Sequence, residues 1–135
     1  MNKRKINRPA KLYLKQLISL FAIASYMSQK SIDFKYIHQI KGHSKEGKKE
    51  HDVSAIADFY NEQIGKVKGL KGFLLMENVD DRNEIINSTF WETKEDCDVY
   101  LSQDKSYTAI LEKTASFRDG ALERTNYTLA KFRIS

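Results

Sequence analysis

The sequence predicts one α+β domain whose elements run β-α-β-β-α-β, with the strands in an antiparallel sheet. Three observations predict it. Short segments rich in β-formers alternate at period two. Two longer stretches place apolar residues three and four apart. An Asn- and Asp-rich turn joins two of the strands directly, as in a hairpin. The length of 135 residues suits one such domain with a short appendage.

The appendage comes first: a basic arm over residues 1–31, followed by the domain over residues 32–135. Lys3, Arg4, Lys5, Arg8 and Lys11 precede an apolar run from Leu17 to Ala24, and Ala22-Ile23-Ala24 fits a small-x-small cleavage site. Arg8, Lys11, Lys15 and Ser19 also recur at helical spacing, the polar stripe of an amphipathic helix that lies on a membrane surface or covers an apolar patch. A third reading starts the natural chain at Met27. The apolar run falls short of the roughly 20 residues a transmembrane helix needs. The expected location is cytoplasmic, or secreted or membrane-associated if the arm is a signal or anchor.

The first strand is Asp33 to Lys41, with Phe34, Tyr36, His38 and Ile40 on one face and Ile37 on the other. Gly42 to Glu50 reads as a charged loop. Asp52 is placed as the N-cap of the first helix, whose stripe is Val53, Ile56, Ala57, Tyr60, Ile64 and Val67. Gly65 falls late in that helix and Gly69 ends it. Gly72 opens a second strand, Phe73 to Met76. Asn78 to Asn83 is the turn, and Glu84 to Trp91 the third strand.

Thr93 caps the second helical region, with Asp96 in capping-box register. Cys97, Tyr100 and Leu101 share a face there. Ser102-Gln103-Asp104 breaks the helix, and Tyr107, Ile110, Leu111, Thr114 and Phe117 carry it on to Gly120. Arg124 to Ile134 is the last strand. This is the ferredoxin-like order, and right-handed crossovers put both helices on one sheet face. The other face is partly apolar and needs cover, which a homodimer supplies.

Net charge is +5, yet the first 50 residues hold 12 basic and 3 acidic residues, so the remainder is acidic. The basic excess sits in the arm and one loop, not on an interleaved folded face, and nucleic acid is not expected as a partner. Cys97 is the only cysteine, so no intrachain disulfide forms, and no Cys/His spacing suits zinc. No Gly-rich phosphate loop supports flavin or nicotinamide binding. No cofactor and no metal are expected.

From Lys71-Gly72-Phe73-Leu74-Leu75-Met76 through the acidic turn to Ser88-Thr89-Phe90-Trp91-Glu92-Thr93-Lys94-Glu95, the chain resembles the antibiotic biosynthesis monooxygenase family of dimeric α+β barrels. Family members commonly show a Gly-Phe pair opening strand two and W-x-[ST] after strand three. Ser102 to Tyr107 resembles the helix break that follows. The resemblance covers about Ile32 to Ile134 and implies a homodimeric barrel with a small-molecule pocket. The family's functions are mixed, and fold alone does not choose among them.

In the family's cofactor-independent quinol monooxygenases an Asn and a Trp four apart line the cavity, and Asn87 and Trp91 match that spacing. The resemblance therefore implies a small cofactor-independent monooxygenase acting on a quinol or polyphenol. The alternative is a non-enzymatic, homodimeric small-molecule-binding or stress-related module. The haem-degrading branch places an axial His ten residues after an aromatic. Here that position, after Tyr100, is Ile110, which cannot bind iron.

His38, Asn87 and Trp91 are the candidate catalytic residues. His38 titrates near neutrality and is the one histidine on a predicted element, since His43 and His51 flank the charged loop. Asn87 is polar on an inward face and needs a hydrogen-bond partner. Trp91 is a strand-end core residue or a stacking wall. Tyr36, Tyr60, Tyr100 and Tyr107, on the inward strand and helix faces, are the candidate substrate-binding residues.

Overall fold

A computed structural model of the chain describes residues 34–133, of which 34–131 fall in one compact unit. The readings of the arm lie outside the described residues. The elements are β1 (Tyr36–Ser44), α1 (Lys49–Gln63), β2 (Leu70–Glu77), β3 (Glu84–Trp91), α2 (Lys94–Gln103), α3 (Lys105–Ala115) and β4 (Arg118–Thr128). The strands form one sheet in the order β2-β3-β1-β4, with every neighbouring pair antiparallel. This is the ferredoxin-like α+β arrangement.

β1 runs on through Gly42 to Ser44, where a loop was expected. Gly42 pairs with Ile85 and His43 with Glu84, so the ladder to β3 continues. Gly42 marks a close approach, because a Cβ there would lie 2.8 Å from Leu122 Cδ2. His43 therefore stands on a strand and His51 on α1, so His38 is not the sole histidine in a regular element.

α1 begins at Lys49 without a side-chain cap. Asp52 is not the N-cap. It lies in the first turn, buried, and accepts a hydrogen bond from Ser44 Oγ at 2.8 Å. The helix ends before Ile64, and Gly65 and Gly69, at φ 87° and 80°, shape the turn into β2. That strand begins at Leu70, two residues before the expected Gly72. Thr93 caps α2, accepting from the Asp96 N–H, and Asp104 interrupts the helix and caps α3, accepting from the Tyr107 N–H.

β4 starts at Arg118 and ends at Thr128, six residues early at each end relative to the expected Arg124–Ile134. The cause is a bulge. Lys41 pairs with Glu123 and His43 with Asp119, so extra β4 residues are squeezed out between them. Gly120, at φ 83°, takes up the bend. It sits inside the strand and does not terminate the helix, and Phe117 lies beyond α3.

The inward face follows from the register. Tyr36, His38, Ile40 and Gly42 stand opposite Trp91, Thr89, Asn87 and Ile85. The core against α1, α2 and α3 is largely aromatic: Tyr36, Tyr60, Leu70, Trp91, Cys97, Tyr100 and Tyr107. Trp91 meets Tyr100 edge-on at 5.2 Å between centroids, and Tyr100 meets Tyr107 at 5.1 Å. Cys97 is fully buried, and burial pushes its thiol up to about 12. The opposite sheet face carries exposed Leu74, Met76 and Tyr127.

Candidate active site

A cavity of about 60 Å³ lies between the sheet and the α1–α3 pair. Its floor is Ile40, Gly42, Ile85, Asn87 and Leu122. Asp52, Ile56 and Tyr60 line it from α1, and Tyr107, Ile110, Leu111 and Thr114 from α3, with Arg118 beside them. Both helices run along the same face, so their inward stripes close the cavity from two sides.

Three candidate residues meet here: Asn87, Tyr60 and Tyr107. Asn87 is 6% exposed, and its Oδ1 has no hydrogen-bond donor among the described residues. A buried acceptor left unpaired is costly, so this atom suits a ligand donor. Tyr60 stacks on Phe73 at 5.5 Å. Burial pushes its hydroxyl pKa well up, while a hydrogen bond with Asn87 pulls the other way.

Tyr107 accepts a hydrogen bond from Arg124 Nη1 at 2.7 Å, and the guanidinium stands 5.9 Å from its ring centroid. A guanidinium only donates, so the Tyr107 O–H remains to donate elsewhere, and no acceptor takes it among the described residues. Burial raises the Tyr107 pKa, and Arg124 opposes that rise.

His38 lies outside the lining and reaches it through this arginine. Its Nε2 is 3.0 Å from Arg124 Nη1, and its Nδ1 is 2.6 Å from Asn126 Oδ1. Nε2 therefore accepts, and Nδ1 carries the proton and donates to Asn126. Burial chiefly, and the Arg124 charge, hold His38 below the ordinary imidazole value, while Asn126 pulls it upward.

Trp91, Tyr100 and Tyr36 do not line the cavity. They fill the adjacent aromatic core. Trp91 Nε1 donates to Thr89 Oγ1 at 2.8 Å, which satisfies the indole within the fold. The Tyr100 hydroxyl is buried with no partner among the described residues, and burial raises its pKa strongly.

Asp52, Arg118 and Arg124 went unrecognised as site residues. Asp52 resembles a helix cap in sequence. Arg124 carried one legible signal, a cation at an alternating position of a β-forming segment, which a reading of faces could have used.

No family model matches the sequence, and no curated protein matches it. Solved structures do match. A monooxygenase from the Streptomyces coelicolor gene ActVA-Orf6, in complex with nanaomycin D, aligns at TM-score 0.67 and 14% identity over 76% of this chain and 94% of that one. SnoaB, a cofactor-independent oxygenase from Streptomyces nogalater, aligns at TM-score 0.62 and 11% identity over 73% and 95%. A conserved protein from Methanosarcina mazei Go1 aligns at TM-score 0.61 and 14% identity over 70% and 93%. At these identities the likeness is one of fold. The chain has the α+β fold of the antibiotic biosynthesis monooxygenases.

Proposed function

We propose that this chain is a small monooxygenase that uses no bound cofactor and acts on a quinol or related phenol. The observation that carries the reading is one cavity lined both by Asn87, whose Oδ1 has no donor among the described residues, and by Tyr107, whose O–H has no acceptor among them. A phenolic hydroxyl both donates and accepts, so it satisfies both groups. About 60 Å³ is less than the roughly 150 Å³ of an apolar cavity that takes up benzene, so a single ring enters only as the lining side chains move apart, and a polycycle does not fit.

The electrons balance without a cofactor. A quinol gives four electrons to dioxygen. One oxygen atom enters the ring, the other leaves as water, and the product is a hydroxyquinone. The first step is loss of the phenol proton to solvent as the substrate enters, and transfer of one electron from the phenolate to oxygen. The protein supplies orientation and exclusion of water. Asn87 holds the substrate hydroxyl and Tyr107 donates to the developing charge. His38 positions Arg124, which polarises Tyr107. Trp91, Tyr100 and Tyr36 back the cavity wall.

The proposed active form is a homodimer, in which the sheet face of Leu74, Met76 and Tyr127 is covered by a second copy. A second reading, a homodimeric binding or stress-related module without turnover, is favoured by one observation: no histidine lines the cavity. Oxygen consumption by the purified chain over a panel of quinols separates the two. Uptake above autoxidation, with hydroxyquinone formed, is expected. Binding without uptake supports the second reading and overturns the first.

A further inference from the structure

The end of the cavity away from Asn87 is also polar. Asp52 is 6% exposed and Thr114 is 3% exposed, and both line the cavity with Arg118. Ser44 Oγ donates to Asp52 Oδ2 at 2.8 Å, which pins the carboxylate from β1. Arg118 Nη2 donates to Thr114 Oγ1 at 2.9 Å, which pins the guanidinium against α3. Thr114 in turn donates to the Ile110 carbonyl at 2.8 Å, so its proton is committed within α3.

Asp52 and Arg118 attract one another but make no direct ion pair. Opposite charges sharing a buried space close up unless something holds them apart. Here two separate hydrogen bonds do so, on different elements. The guanidinium keeps donors to spare, and the carboxylate keeps acceptor capacity. A group that accepts from the one and donates to the other fits between them. A second anion would meet Asp52, and a second cation Arg118, so a neutral group fits best.

The two polar ends are set apart by the helices. From Asp52 to Tyr60 α1 advances eight residues, about 12 Å at roughly 1.5 Å per residue. From Tyr107 to Thr114 α3 advances seven, about 10 Å by the same rise. Ile40, Ile56, Ile110 and Leu122 line the stretch between.

We propose that Asp52 and Arg118 form a second subsite, which binds a neutral hydroxyl or carboxamide at the far end of an elongated ligand whose first polar group meets Asn87. The ligand class is then a phenol ring with a short apolar side chain ending in that neutral group. This rests on the reading that the cavity is the ligand site, and it specifies the substrate that site takes.

The test measures binding of 4-(3-hydroxypropyl)phenol and 4-propylphenol to the full chain by calorimetry. The two differ only in the terminal hydroxyl. The wild-type chain is expected to bind the hydroxypropyl compound about tenfold more tightly, the value of one hydrogen bond to charged groups. Arg118→Gln and Asp52→Ala should each reduce that preference to under about threefold, while Asn87→Leu weakens both compounds alike. Melting curves establish which variants are folded, and Arg118→Gln alone suffices, since Arg118 is only half-buried. Equal binding of both compounds by the wild type, with both weakened in Asn87→Leu, overturns the subsite and leaves the cavity reading standing. A preference that survives in the folded variants also overturns the subsite. No binding of either compound at millimolar concentration overturns the subsite and the cavity reading together.

Discussion

Arg124 donates to His38: Nη1 lies 3.0 Å from Nε2, a contact that exists only while the imidazole is neutral. The same nitrogen donates to the Tyr107 hydroxyl, so the state of a histidine outside the cavity reaches a group that lines it.

A pH dependence follows. His38 titrates below 6.5 in the fold. Between that depressed value and about 6.5 the unfolded chain carries the extra proton, so stability is full above that range and falls as pH drops through it. His38→Gln, which has no titration, should flatten the slope of melting temperature against pH in that window. An identical slope in the variant would assign the effect to another group.

Asp52 has the opposite sign. Burial raises its pKa, against the pull of Ser44 and Arg118, so its charge opposes folding at neutral pH. Asp52→Asn keeps an acceptor for Ser44 and should raise the melting temperature at pH 7. The gain should shrink as the solution is acidified and wild-type Asp52 takes up its proton. A lower melting temperature at pH 7 would show that the charge is net stabilising.

Asn87→Leu separates stability from recognition. The substitution removes an unpaired buried acceptor and, with it, the amide's hydrogen bond to Tyr60; the two effects oppose one another, so folding stability should stay within about 1 kcal/mol of the wild type. Ligand affinity or turnover should fall by about 1–3 kcal/mol. A folded variant with unchanged binding takes Asn87 out of the site.

Gly69→Ala tests the turn before β2. The residue sits at φ 80°, and a Cβ would lie 2.7 Å from Asp96 Cβ at the start of α2. Backbone strain and this clash should cost about 1–3 kcal/mol in urea denaturation. A neutral result would mean that α2 shifts freely away from the turn.

The open sheet face gives the last prediction. Sedimentation of the wild type should show twice the 15.7 kDa chain mass, and Leu74→Glu should return the monomer by burying an unpaired charge. A wild-type monomer at micromolar concentration would leave that face without its proposed cover.

The element order and the inward strand faces were legible because period two and the three-and-four spacing report burial directly. β3 came out with its bounds intact, and Thr93 and Asp104 acted as punctuation because their side chains cap helices locally. β4 was displaced because a bulge at Gly120 depends on the neighbouring strand, which no local pattern encodes. The site was half legible for a similar reason. Asn87 and Tyr107 were found by their faces, but Asp52 reads as a cap until Ser44, eight residues away, is seen bonded to it.

Cys97 makes the fold able to report on its own opening. It is the only thiol in the chain, fully enclosed between α2 and the aromatic core, and protonated at any ordinary pH. A thiol reagent can reach it only when that core comes apart. The rate of labelling is therefore a clock for the opening of the helix layer, and a ligand that closes the cavity should slow it.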